Sequence, residues 1–290
     1  MKKYKIIGEK EFLGTDGKKH ILHRIQAIEE FWNAEKGDIG GWVEKEANLS
    51  HDGNAWIKND ACVYGNARIE GNAVVSEQAQ VYGNAIVSEQ AEVYGNACVF
   101  GNACIDGNAK VYDDATVGEE ARITSHARVH ERAEVYGQAK ICEFSNIWGG
   151  AYIDEKARVC GTATVGERAI IRGNAIIAGD TRLSGRIIVQ GNAYMNTDNI
   201  WHTEGRLDYD ACVEDENGLL VFKNIGEPHG VLCFYKGESG KLYASITHHF
   251  DEAYYVGEVK DWYDKVRKFY KGTMMEDILR LAMEIALLRL

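Results

Sequence analysis

The sequence predicts a mainly β protein, a parallel β-helix carrying a small domain at each end. Three observations predict it. From Gly53 to Asn196 the sequence divides without insertion into 24 six-residue units, beginning GNAWIK, NDACVY, GNARIE. The fifth position of every unit is apolar, from Ile57, Val63, Ile69 and Val75 to Leu183, Val189 and Met195. Two residues earlier stands a small residue, nearly always alanine, with Ser145, Thr181 and Ile187 as the departures. A period of six fits neither the 3.6 of a helix nor the two of a long strand. It fits a coil of three short strands in which each strand sends one apolar side chain inward and the small residue lets the chain turn. Three units make one coil, so the 24 units make about eight.

The corners follow from composition. One proline against 31 glycines gives the turns to residues that reach positive φ. The pair before the small residue is usually Gly-Asn, and asparagine tolerates the left-handed region. The asparagine is therefore expected to make the corner, with Asp60, Asp114 and Asp180 as substitutes.

This pattern resembles the hexapeptide repeat of left-handed β-helix proteins. The hand is implied by that resemblance, because parallel crossovers are otherwise right-handed. The lead-in GDIGGWVEKEANLSHDGNAW resembles the start of YdcK-type repeat proteins of bacteria and their prophages. Within it Val43 and Leu49 are already six apart, and a two-residue slip brings Ile57 into register.

Both ends are expected to cap the bare strand edges that stacking leaves. Residues 1–52 read as a β-hairpin, KYKIIGEKEF and HILHRIQAI around GTDGKK, followed by the lead-in. Residues 53–196 are the β-helix. Residues 197–290 read as an α+β domain: LLVFK, VLCFYK and LYASITHHF form antiparallel strands, and two helices follow. Thr273 and Glu276 read as a capping box for the last helix. That helix is apolar on more than one side (Ile278, Leu279, Leu281, Ile285, Leu287, Leu288, Leu290), so it either plugs the β-helix or meets another subunit. The run FYKGESGKLYASITHHF before a helix resembles a small C-terminal domain of phage proteins, which implies a phage-encoded, host-directed role of the anti-defence type.

Bulk properties exclude several classes. A formal charge of -11 argues against general nucleic-acid binding, which needs Lys and Arg to neutralise phosphates. No apolar run approaches the roughly 20 residues of a membrane span. The start MKKYKIIGEKEF lacks a secretory apolar core, so a cytoplasmic location is expected. Seven cysteines (62, 98, 104, 142, 160, 212, 233) without a CxxC pair are expected to be reduced. Cys142 and Cys160 lack further ligands for a metal, and His248 and His249 alternate along a strand, so no metal site is expected.

Residues 18 apart stack, which assigns outward side chains to faces. One column reads Tyr94, Tyr112, His130, Trp148, and the next Tyr64, Tyr82, Phe100. These seven are the candidate binding residues, since aromatic side chains are enriched at interfaces. Stacked rings can equally stabilise the sheet itself. If the column is an interface, a homo-oligomer is favoured over a foreign protein partner. Arg122, Lys140 and Arg158 form a basic column that suits a small anionic ligand or solvated ion pairs.

The leading reading is a non-catalytic scaffold presenting a binding surface for a protein or small ligand, with no cofactor. The alternative is an acyltransferase of the hexapeptide-repeat class, which the resemblance implies would use acyl-coenzyme A and a histidine base, His126 or His130. Two features oppose it. The repeat has no protruding loop to build an acceptor pocket, and His126 occupies a corner position.

Overall fold

The structure is a computed structural model that describes residues 2–197, 200–207, 212–213, 219–223, 231–237, 240–248 and 253–290. The fold is a mainly β parallel solenoid of about nine turns, with strands and helices at its C-terminal end. The chain divides into two compact units, Met1–Gly150 and Ala151–Leu290.

In the first unit each repeat contributes a two-residue strand such as Trp56–Ile57, Cys62–Val63 or Arg68–Ile69. Parallel pairing sets Val93 beside Val75 and Val111, and Val129 beside Val111 and Ile147, all 18 residues apart. The ladder is closed by bonds such as Tyr94 N–H to the Val111 carbonyl at 3.0 Å. The inward apolar residues and the alanines that precede them are wholly buried. Each such Val or Ile supplies about 1.5–3 kcal/mol of apolar burial. Ser145 takes an alanine's place by donating its hydroxyl to the Cys142 carbonyl at 2.6 Å, so the buried oxygen has a partner.

The corners differ from expectation. The residue in left-handed conformation is the first of the pair, as at Gly65 (φ 65°) and Gly83 (φ 71°), and not the asparagine. A Cβ on Gly95 would lie 2.7 Å from the backbone nitrogen of Asp113 in the next coil, which explains glycine's frequency there. Asparagine follows it because its amide joins a ladder along the corner: Asn66 donates to Asn84 at 3.1 Å and Asn84 to Asn102 at 3.0 Å. Among the described residues ten other than glycine take positive φ, and seven of these are glutamates. Each glutamate has a glycine 18 residues on. The carboxylates of Glu77, Glu119 and Glu131 accept the N–H of Gly95, Gly137 and Gly149 at 3.0, 2.9 and 3.1 Å. This charge-assisted clip offsets the backbone strain of a non-glycine corner.

At the start, β1 (Tyr4–Leu13) and β2 (Lys19–Ala27) form an antiparallel hairpin, and β2 pairs in turn with β3 (Ile39–Val43). Val43 then pairs in parallel with Val63 and Leu49 with Ile69, 20 residues apart, which is the two-residue slip read in the lead-in. Gly41 permits this approach: a Cβ there would lie 2.4 Å from the Ile57 side chain.

In the second unit the period continues to Tyr194–Asn196, with one irregularity. Arg182–Val189 is a single eight-residue strand containing Ile187 where an alanine would stand. It pairs in parallel with Ile200–Leu207, and Tyr194–Asn196 pairs with Cys212–Val213, so parallel pairing passes beyond Met195, where the six-residue pattern fails. Together with the coil begun by β3, this raises eight coils to about nine.

An antiparallel sheet follows, ordered Leu219–Lys223, Val231–Lys236, Leu242–His248, Ala253–Glu258, the last strand being one the sequence reading did not assign. Helices α1 (Val259–Tyr270) and α2 (Met274–Arg289) share a core with it, including Phe234, Ile246, Trp262, Val266 and Leu279. The expected capping box is replaced by another arrangement. The Thr273 hydroxyl donates back to the Tyr270 carbonyl at 2.6 Å, and Glu276 accepts the Gly272 N–H at 2.8 Å. His249 lies outside the described residues.

Candidate functional site

The face whose inward ladder runs through Val93, Val111 and Val129 presents Tyr94, Tyr112 and His130 on successive coils. Strand geometry fixes this, because the residue after an inward side chain points out. The rings are stacked nearly parallel: Tyr94 and Tyr112 lie 4.9 Å apart at 6°, and Tyr112 and His130 4.7 Å apart at 2°. All three are half-exposed. Burial, with the charges of nearby acids, raises both tyrosine pKa values, and at Tyr112 the Arg128 guanidinium opposes the shift. Beside the rings Lys110 pairs with Glu92 at 3.0 Å.

Trp148 does not extend this stack. Among the described residues no ring contact joins it to His130, whose Nε2 lies 3.1 Å from Asn146 Oδ1 and whose Nδ1 lies 3.9 Å from Asp113 Oδ2. The four-ring column expected from sequence is thus three rings. Asp113 also lines a shallow depression with Asp114, Glu131, Arg132, Gly149 and Gly150. His126 stands apart at a corner, stacked on the exposed Phe144 at 4.8 Å and 14°. The two histidines considered as bases do not meet.

The neighbouring face behaves differently. Tyr64, Tyr82 and Phe100 stack at 4.9 and 5.3 Å, but Tyr64 is wholly buried, which removes it from any free surface. The N-terminal hairpin covers it. Thr15 donates its N–H to the Tyr64 hydroxyl at 3.2 Å, that hydroxyl donates to Gln80 at 3.0 Å, and the rings of Phe12 and His20 lie at 5.7 and 4.5 Å. Phe100 lies over Gly118, where a Cβ would come within 2.4 Å of the ring. Sequence could have signalled the cover, since a hairpin rich in inward-facing Leu22 and Phe12 needs an apolar bed.

On the third face Arg122 and Lys140 are register partners, both exposed, and Arg122 lies 3.8 Å from Asp106. Arg158 is exposed within the second unit. Cys62, Cys98 and Cys104 form no disulfide. Among the described residues no cluster of three His, Cys, Asp or Glu is placed to hold a metal, and no helix is long and apolar enough to cross a membrane.

His20 holds the docked hairpin electrostatically. Its Nδ1 lies 2.8 Å from Glu44 and its Nε2 3.2 Å from Asp16. Burial alone would lower the imidazole pKa, but the two carboxylates outweigh it and the value is raised. Burial likewise opposes the acids, yet the Lys18 N–H and His20 hold Asp16, and His20 and the Gly65 N–H hold Glu44, below the usual carboxylate range. The imidazole's contribution is complete below the ordinary histidine pKa of 6.5 and is lost as pH rises through the raised value. The carboxylates contribute above their ordinary values, 3.8 for Asp16 and 4.5 for Glu44, and lose this as pH falls through the depressed ones. Amide hydrogen exchange of β1 and β2, corrected for intrinsic rates, should show tightest protection between the ordinary Glu44 and His20 values and a fall on the alkaline side. His20→Gln should flatten the alkaline limb. Protection that does not change with pH would refute the assignment.

The continuous parallel ladder and its regular surface columns define a β-solenoid repeat protein. Residues 61–77 and 79–92 match the family described as the YdcK beta solenoid repeat, so this part of the chain is similar to YdcK-type repeat proteins. No curated protein matches the chain.

Proposed function

We propose that the chain is a non-catalytic scaffold that presents the Tyr94, Tyr112, His130 face as a binding surface for a protein. The observation that carries this reading is the parallel, partly exposed ring stack. Its rings are held by a ladder whose inward residues are wholly buried, so little conformational freedom is lost when a partner covers them. The resemblance of the C-terminal segment to phage domains supports a host-directed setting for such binding. Acyl transfer is the weaker reading. Both nitrogens of His130 face neighbouring side chains, and His126 packs on Phe144 at a corner.

A photo-crosslinking amino acid placed at Tyr112 in cells, with Thr124 on the third face as control, tests the proposal. A discrete protein adduct from position 112 and none from 124 is the expected result. No adduct, or the same adducts from both positions, would discard the strip as a binding surface. Saturating acetyl-coenzyme A supplies the counter-test: a raised melting temperature would favour the acyltransferase reading, because a ligand preferring the native state must stabilise it.

A further inference from the structure

The last helix has two apolar faces, and the fold uses one. α2 turns Leu279, Ala282 and Ala286 into the core shared with α1 and the antiparallel sheet. At 3.6 residues per turn, a second stripe of Met274, Ile278, Leu281, Ile285 and Leu288 lies about 110° around the helix. Ile278 is half-buried, while Met274, Leu281, Ile285 and Leu288 are 78%, 51%, 42% and 88% exposed. These residues are spaced four, three, four and three apart. That is the a and d spacing of a heptad, which keeps a seam turned toward a partner helix. We propose that this stripe is one half of a parallel two-stranded coiled coil, and that its occupant is α2 of a second copy of this chain.

The identity of the side chains supports both the number of strands and their direction. Ile278 and Ile285 fall at a, and Met274, Leu281 and Leu288 at d; a β-branched residue at a with leucine at d favours parallel pairs. The flanking charges agree. Glu284 falls at g and Arg289 at e, and in a parallel pair each g residue meets the e residue five positions on in the other strand. Two symmetric Glu284–Arg289 pairs result. Among the described residues Arg289 has no ion-pair partner within its own chain, and Glu284 has Arg280 at 3.4 Å. An antiparallel pair would instead set g against g, Asp277 against Glu284, like charges. The occupied face points away from the seam, so each copy's own core leaves the other room to approach. This inference uses no residue of the aromatic strip and stands apart from the function proposed for it.

Light scattering on the full chain at micromolar concentration tests it. The expected mass is twice the 32.3 kDa of one chain. Leu281→Lys should halve it with an unchanged far-ultraviolet circular dichroism spectrum, and Leu288→Lys, at the most exposed position, should do the same if Leu281→Lys folds poorly. Glu284→Arg and Arg289→Glu should each weaken the dimer, and the double variant should restore it, since the pair is only reversed. Tyr112→Ala should leave the mass unchanged. A monomeric wild type, a dimer indifferent to Leu281→Lys and Leu288→Lys, or a trimer overturns the proposal. Failure of the double variant to restore the dimer overturns the parallel arrangement.

Discussion

Val111→Asp is expected to leave the chain unfolded or insoluble. Val111 is 0% exposed and stacked between Val93 and Val129 in a ladder of aliphatic side chains. Among those neighbours a carboxylate has no donor, and removing an ion from water without a partner costs several kcal/mol even after relaxation. That is of the same order as the whole stability of a typical domain, about 5–15 kcal/mol. Lys110→Asp is the matched control, because the same charge one residue earlier points outward. Circular dichroism melting of both variants decides the matter. A soluble Val111→Asp protein with a cooperative transition would show that the register, and with it every surface assignment above, is wrong.

Tyr64→Ala should have the second largest effect and a different character. The substitution removes a wholly buried ring and the oxygen that binds Thr15 and Gln80. Truncating a buried large aromatic costs about 3–5 kcal/mol. Tyr64 is the bed on which Phe12 and His20 of the hairpin rest, so the loss should appear first as release of β1 and β2. Limited trypsin digestion should then cut after Lys18 or Lys19 well before the solenoid melts. Tyr82→Ala, which truncates a half-exposed ring one coil on, should change little. Equal behaviour of the two variants would mean that the hairpin is not held through Tyr64.

The solenoid was legible because its determinants are local and repeated. An inward side chain every six residues and a small residue two earlier specify the coil wherever they occur, and Val63 to Ile147 obey without exception. The lead-in slip was legible for the same reason, since Val43 and Leu49 carry the period with an offset of two. What was misread depends on neighbours a coil away. The Gly-Asn pair gives no local hint of which member is left-handed; the answer lies in the glutamates that replace glycine and in the backbone 18 residues on. Likewise Tyr64, Tyr82 and Phe100 look equivalent in sequence, and only the docking of a hairpin some 40 to 50 residues upstream separates the first from the others. In the candidate strip, Tyr94, Tyr112 and His130 stack as their spacing requires, whereas spacing alone did not show that the ring contacts stop before Trp148. The straight strand Arg182–Val189 had a signal in Ile187, a residue too large for a corner.

The glutamate clips also bear on how such a chain can lengthen or shorten over evolutionary time. Each clip is a two-coil word, an acid in one coil read against a glycine in the next, as at Glu77 with Gly95 and Glu167 with Gly185. Duplicating the 18-residue coil that holds Glu77 would place one acid over another at the same corner, as Asp113 and Glu131 already stand, where the Glu131 N–H donates to Asp113 at 3.2 Å. Duplicating the Glu77 and Gly95 coils together would copy the word whole. Unequal recombination in steps of 18 residues is therefore tolerated at a corner wherever the lower side chain can accept the N–H of the residue stacked on it, whether that residue is glycine, as at Gly95, or an acid, as at Glu131.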